Sequence, residues 1–450
     1  MGHQTPFSEQ FHGPASQQTR ALERTLRRTW IPLARTWRLT PRGIRLLKRV
    51  TDPTDRVPML RGTRVEALRI GGRPAEWVLA PRALEQLGLP PAAPTGAAAA
   101  ASEMARPTPA AFTAAGAGAS TTTRPTPAAP TAGPVPVDAP ILLYLHGGGY
   151  VFGSPRTHRN LISRISHVTG LAALALDYRL PPEATLPAPT EDALAAYREL
   201  LEAGRDPQRI VVAGDSAGGN LALSLALHAA EAGLPRPAAL VLLSPWADLS
   251  LSHDSFTRNG LLDPFIPPAA LRRFARVATG ATPTARGAAP YGPPPAAIDP
   301  ADWRASPLFA PEELWRAAIP PTQVHVGSTE LLLDESRAVA ERVAAAGTRA
   351  ELHVFDRQPH VVPLWAGTPA ARVSLQLTGR FTAAALAPAS APEPPTAADA
   401  ATAAEAPAVA PPAELAASPS DDTVVAREVA SEVAVAPPAE APAAADAPGT

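Results

Sequence analysis

Short apolar runs and longer stretches of helical spacing succeed one another through the middle of the chain. Ile210–Ala213 is an unbroken apolar run followed by glycine, which reads as a buried strand. Beyond it Leu221, Leu223, Leu225 and Leu227 sit among alanines in a segment that favours helix and stops near Gly233. Ile141–Leu145 is a second buried-strand run and Thr322–Gly327 a third, while Glu351–Phe355 alternates like a strand. Nearer the start, Arg64–Ile70 and Ala75–Leu79 flank Gly71-Gly72 and predict a β-hairpin. From Thr19 to Val50 the chain is rich in arginine, and Leu22, Leu26, Trp30, Leu33 and Trp37 recur at roughly helical spacing. A basic amphipathic helix of this kind can cover a pocket or lie on a membrane surface.

Elsewhere the pattern fails, and composition says why. The chain has 450 residues with 56 prolines, a large excess of alanine and only 5% aromatics, so much of its length cannot build a core. Residues 1–18 are polar and are expected to be disordered. Residues 89–138 contain one aromatic residue, Phe112, among Ala, Pro, Thr and Gly, and are expected to form a disordered insertion. A Pro-rich insertion at 278–300 repeats this on a smaller scale. The tail 385–450 has no aromatic residue and one basic residue, Arg427; it reads as a flexible acidic spacer or a partner-binding segment, with a weak helix at 422–436. What remains is one folded domain, 19–384.

The formal net charge of −1 gives no reason to expect nucleic acid, and the absence of cysteine removes disulfides, thiolate chemistry and cysteine-ligated zinc. There is no apolar run of transmembrane length. Residues 1–20 lack a charged start followed by an apolar core, so a cytoplasmic location is expected.

Two glycine-rich turns carry the candidate chemistry. Gly214-Asp-Ser-Ala-Gly218 follows the strand run and precedes the helix, and this context distinguishes a G-x-S-x-G nucleophile from a plain turn. Small residues on either side let the serine sit in a strained turn, with Ser216 Oγ at the end of the sheet. His146-Gly-Gly-Gly-Tyr150 follows the strand run 141–145, and consecutive glycines expose backbone N–H groups with no side chain in the way. Acyl transfer needs such donors for the oxyanion of its transition state; Gly148, Gly149 and Ala217 are the candidates.

With HGGGY at 146–150, GDSAGG at 214–219 and DYRLPPE at 177–183, the chain resembles the hormone-sensitive-lipase branch of the α/β-hydrolases, the family IV bacterial esterases. The resemblance runs from about Arg61 to about Leu364, with Pro181 where the family usually has alanine. It implies an α/β fold with a mostly parallel eight-stranded sheet, N-terminal helices (here 19–60) capping the site, and activity on short- to medium-chain acyl esters.

In such enzymes the triad follows the chain order serine, acid, histidine. Aligning Gly327 with the family glycine puts Glu330 at the acid position, where many members have Asp, and Asp334 at the start of the next helix. Asp334 stays open as an alternative acid, although acidic residues also favour helix starts for electrostatic reasons. Of ten histidines, chain order leaves His353 and His360. His353 lies inside a strand run, whereas His360 follows it in the loop where the family places its histidine. The expected constellation is therefore Ser216, Glu330 and His360, working without metal or cofactor on a small-molecule acyl ester. Tyr150, Phe152 and Trp246 are pocket-wall candidates that would serve equally as core. The alternatives are an amidase or deacetylase of an acetylated small molecule, using the same groups, and a catalytically inactive binding protein on the same fold.

Overall fold

The apolar runs form the centre of one sheet. In the computed structural model, which describes residues 7–37, 39–51, 58–90, 134–281 and 297–388, the strands are β1 (Phe7–His12), β2 (Arg64–Ile70), β3 (Arg73–Leu79), β4 (Ile141–Leu145), β5 (Ala172–Leu176), β6 (Ile210–Asp215), β7 (Ala239–Leu243), β8 (Thr322–Gly327) and β9 (Ala350–Phe355). Their order is β1-β9-β8-β7-β6-β4-β5-β3-β2. β3 pairs antiparallel with both β2 and β5, and every other pairing is parallel. Central strands β4 to β7 are buried along their whole length, as expected of parallel strands covered on both faces.

The helices are α1 (Gln17–Thr36), α2 (Pro41–Thr51), α3 (Pro81–Gln86), α4 (Pro155–Thr169), α5 (Ala188–Glu202), α6 (Ala217–Glu231), α7 (Asp254–Arg258), α8 (Pro268–Ala278), α9 (Glu312–Ala318), α10 (Leu333–Ala345) and α11 (Pro369–Ala385). Alternate side chains of each strand enter different cores. Leu143, Leu145 and Val212 pack with Leu221 and Leu225 of α6, Leu200 of α5 and Val339 of α10. Leu142, Tyr144 and Val211 pack with Leu161 and Ile165 of α4 and Phe381 of α11. Among the described residues no helix is long and apolar enough to cross a membrane.

Among the described residues the sheet has nine strands, against the eight expected. The added strand, β1, also corrects the expectation of disorder over 1–18, since Phe7–His12 pairs residue for residue with β9. Its sequence, FSEQFH, has no strand-like alternation. Tertiary contacts hold it instead: the His12 ring stacks on Phe355 at 4.5 Å, and Nε2 of His12 lies 3.1 Å from Nδ1 of His353. The expected hairpin is β2–β3, and the basic segment 19–50 becomes α1 and α2. Of the insertions and tail, residues 91–133, 282–296 and 389–450, with the segment 422–436, lie outside the described residues.

Candidate active site

β6 delivers Ser216 in a sharp turn before α6. Its backbone sits at φ 55° and ψ −120°, a conformation that costs energy for a residue with a side chain and persists only where its surroundings enforce it. The Ser216 N–H donates to Leu243 O at 2.9 Å, and Ser216 O accepts from Trp246 N at 3.0 Å, so the end of β7 and the loop after it grip the turn. Glycine at 214 is required by space, because a Cβ there would overlap the carbonyl of Gly218.

The HGGG loop leaves β4 beside this turn. Gly148 has φ 120°, and a Cβ would collide with the carbonyl of Phe152, so only glycine fits. Among the described residues, the N–H groups of Gly148, Gly149 and Ala217 have no acceptor. Asp215 anchors the loop: its Oδ1 accepts from Gly147 N at 2.9 Å and from the Tyr144 hydroxyl at 2.6 Å, and its Oδ2 lies 3.4 Å from Nε2 of His158. Burial by itself would raise the Asp215 pKa; the His158 ring and the Tyr144 hydrogen bond outweigh it and hold the group below its ordinary value. The His146 ring stacks on Tyr178 at 4.2 Å and stays neutral, its pKa lowered to about 3 by burial and by the neighbouring His158.

Glu330 and His360 meet across the ends of β8 and β9. Nδ1 of His360 is 2.6 Å from Glu330 Oε2. Glu330 Oε1 accepts from Gly327 N at 2.6 Å and from Ser244 Oγ at 2.8 Å. A carboxylate that takes these donors fixes the proton on Nδ1 and leaves a bare lone pair on Nε2 of His360. That Nε2 is buried and has no partner among the described residues. Burial opposes charging of His360, but the Glu330 carboxylate and, less strongly, those of Asp263 and Asp215 raise its pKa above the ordinary value.

Asp334, the alternative acid, lies elsewhere: its carboxylate pairs with Arg258 at 2.8 Å and Arg337 at 3.4 Å. His353 and His325 are buried inside β9 and β8. Of the wall candidates, Phe152 lines the pocket, whereas Tyr150 and Trp246 are core residues whose polar atoms bond to Asn220 and Asp248.

Ser216, His360, Gly148 and Gly149 open on one cavity of about 220 Å³. α1 and the segment behind it contribute Trp30, Leu33, Trp37 and Leu47 to its wall, and α8 contributes Leu271 and Phe274. Two contributors were not apparent in the sequence. Ser244 donates to Glu330 and accepts from Val361 N at 3.0 Å, joining the acid to the histidine loop. Asp263 is buried, accepts from the N–H groups of Phe265, Ile266 and Leu331, and has its pKa raised to about 6 by burial and the adjacent Glu330. Only a serine directly after a buried strand, Leu243-Ser244-Pro245, hinted at the first. Among the described residues no group of His, Cys, Asp or Glu is arranged to hold a metal ion.

A buried serine on a strained strand-to-helix turn, facing one cavity with a carboxylate-held histidine, is the arrangement of a serine hydrolase on an α/β sheet. The known proteins that this chain resembles agree. A family described by the α/β hydrolase fold matches residues 142–364. An acetyl-hydrolase of Streptomyces hygroscopicus is 38% identical over 253 residues, spanning 55% of this chain and 77% of that protein. The carboxylesterase/phospholipase LipF of Mycobacterium tuberculosis is 34% identical over 251 residues, spanning 56% of this chain and 63% of that protein. Among solved structures, an esterase from the bacterial hormone-sensitive lipase family is 32% identical, with a TM-score of 0.60 and coverage of 83% of this chain and 99% of that one. The chain belongs to the α/β-hydrolase family, in its hormone-sensitive-lipase-like branch of ester-cleaving enzymes.

Proposed function

We propose that the protein is a serine carboxylesterase that hydrolyses short- to medium-chain acyl esters, with Ser216 as nucleophile, His360 as general base and Glu330 as the orienting acid. The observation that carries this is the 2.6 Å contact from His360 Nδ1 to Glu330 Oε2, with Nε2 left buried and unpartnered in the cavity that Ser216 lines. In this reading Nε2 takes the Ser216 proton as Oγ attacks the ester carbonyl, and Glu330 holds the tautomer and stabilises the imidazolium. The carbonyl oxygen becomes an oxyanion that accepts from the N–H groups of Gly148, Gly149 and Ala217. Collapse expels the alcohol, which takes the proton back from His360. Water then attacks the acyl-enzyme by the same proton route and releases the acid.

The apolar wall of Trp30, Trp37, Phe152 and Phe274 supports an acyl or alcohol chain longer than acetyl. A second reading, removal of an acetyl group from a small molecule, is favoured by the name of the Streptomyces hygroscopicus relative. A series of p-nitrophenyl esters from acetate to decanoate separates the two. A kcat/KM maximum at about four to eight carbons supports the first reading, and a maximum at acetate with a steep fall thereafter supports the second. No turnover of any ester overturns both.

A further inference from the structure

The turn that carries His360 is tied, residue by residue, to the N-terminal segment. Asp356 N donates to His12 O at 2.8 Å, and Asp356 Oδ2 accepts from Ala15 N at 2.9 Å. Arg357 makes a two-pronged ion pair with Glu23 of α1, Nη2 to Oε1 at 2.7 Å and Nε to Oε2 at 3.1 Å. Gln358 Nε2 donates to Thr19 Oγ1 of α1 at 2.6 Å. Thr19 and Gln358 are 0% and 2% exposed, so their contact is shielded from water; Glu23 is 6% exposed, while its partner Arg357 is 44% exposed at the side chain. Further along α1, Trp30 Nε1 donates to Phe265 O at 2.7 Å, and the Phe265 ring lies parallel to that of His360 at 6.1 Å.

This turn needs holding. Arg357 and Val361, on either side of His360, have φ of 53° and 60°, left-handed values that side-chain-bearing residues adopt only when surrounding contacts impose them. Among the described residues, Arg357 has its side-chain partner on α1 and nowhere in the sheet. Neither Thr19 nor Glu23 lines the cavity, so neither touches substrate.

We propose that Glu23 and Thr19 of α1 are positioning residues for the reaction: by clamping Arg357 and Gln358 they hold the turn that aims His360 Nε2 at Ser216. The inference rests on the reading of His360 as the base. Its consequence is that α1 builds the pocket wall with Trp30 and Leu33 and aligns the base through Glu23 and Thr19.

The test is steady-state kinetics on p-nitrophenyl butyrate for Glu23→Gln, Arg357→Gln, the double variant and Thr19→Val, with His360→Asn alongside. Misplacing a catalytic group by about 1 Å costs about 100-fold. Glu23→Gln and Arg357→Gln are therefore expected to lose about 10- to 100-fold in kcat with KM changed less than about threefold. The double variant is expected to be no worse than the poorer single, because both changes break one contact. A purely structural contact would lower the thermal midpoint and leave kcat of the folded enzyme intact; that result in all these variants overturns the inference. If Glu23→Gln does not fold, Thr19→Val, which keeps side-chain volume, decides by the same kcat criterion. An active His360→Asn would instead overturn the reading of the site itself.

Discussion

Replacing Glu330 by glutamine perturbs the candidate site at a point where the outcome can be worked out atom by atom. The carboxylate accepts from His360 Nδ1 at 2.6 Å, Gly327 N at 2.6 Å and Ser244 Oγ at 2.8 Å. Glutamine offers one oxygen and one NH₂ to these three donors. With the oxygen toward His360, the NH₂ confronts the Gly327 N–H, leaving a buried donor unpaired at about 1–3 kcal/mol. With the oxygen toward Gly327 and Ser244 both stay paired, and the NH₂ donates to His360. The second arrangement is favoured, and it forces the ring to carry its proton on Nε2, the wrong tautomer for a base. Loss of the correct tautomer costs about 10⁴ in kcat, or about 5 kcal/mol in the barrier. Glu330→Gln is thus expected to fold, with a thermal midpoint within a few degrees of the parent, and to turn over p-nitrophenyl butyrate at about 10⁻⁴ of the parent rate. Asp334→Asn, which breaks pairs with Arg258 and Arg337 at the partly buried start of α10, is expected to keep its activity. Glu330→Gln within tenfold of the parent, or an inactive but folded Asp334→Asn, would remove Glu330 from the role of orienting acid.

Ser244→Ala strips one donor from Glu330 and leaves the buried Val361 N–H without an acceptor. It is expected to cost about 1–3 kcal/mol for the orphaned N–H alone and to lower kcat; an unchanged chemical-denaturation midpoint contradicts this. In the proposed mechanism the base works deprotonated, and burial opposes charging of His360 while Glu330, Asp263 and Asp215 raise its pKa above the ordinary 6.5. The acid limb of kcat/KM, which reports the free enzyme, is therefore expected to have its midpoint above pH 6.5, and a midpoint below that value is inconsistent with the site. His325 has the opposite sign: burial, then His353 and His12, hold its pKa well below 6.5. As pH falls below 6.5 the unfolded chain binds a proton at this position that the folded chain refuses, so stability drops by up to about 1.4 kcal/mol per pH unit. His325→Asn is expected to flatten the fall of the thermal midpoint between pH 6.5 and 5, and an unaltered slope counts against this account.

The parts of the candidate site that can be read from the chain are those encoded within a few consecutive residues. A buried strand, a crowded turn and a helix lie within Ile210–Glu231, and the HGGG loop directly follows β4. Glu330 and His360 needed chain order and the family pattern as well, because the strands that bring them together are β8 and β9. Ser244 was not legible, since its role exists only where the end of β7 meets the loops carrying Glu330 and Val361. The same holds for Asp263, which no local pattern links to Leu331. β1 was missed for a different reason. A polar edge strand carries little hydrophobic signal, and pairing with β9 gives FSEQFH its conformation. The acid of α1 that reaches Arg357 is likewise one glutamate in an arginine-rich helix, with nothing in the sequence to connect the two.

Reaction of the full chain with a sulfonyl fluoride or organophosphate, followed by peptide mass spectrometry, asks whether Ser216 is the nucleophile. One modified residue is expected, Ser216, with esterase activity lost in proportion to labelling and neither labelling nor activity in Ser216→Ala. Label on any other residue in step with inactivation, or an active Ser216→Ala enzyme, contradicts it.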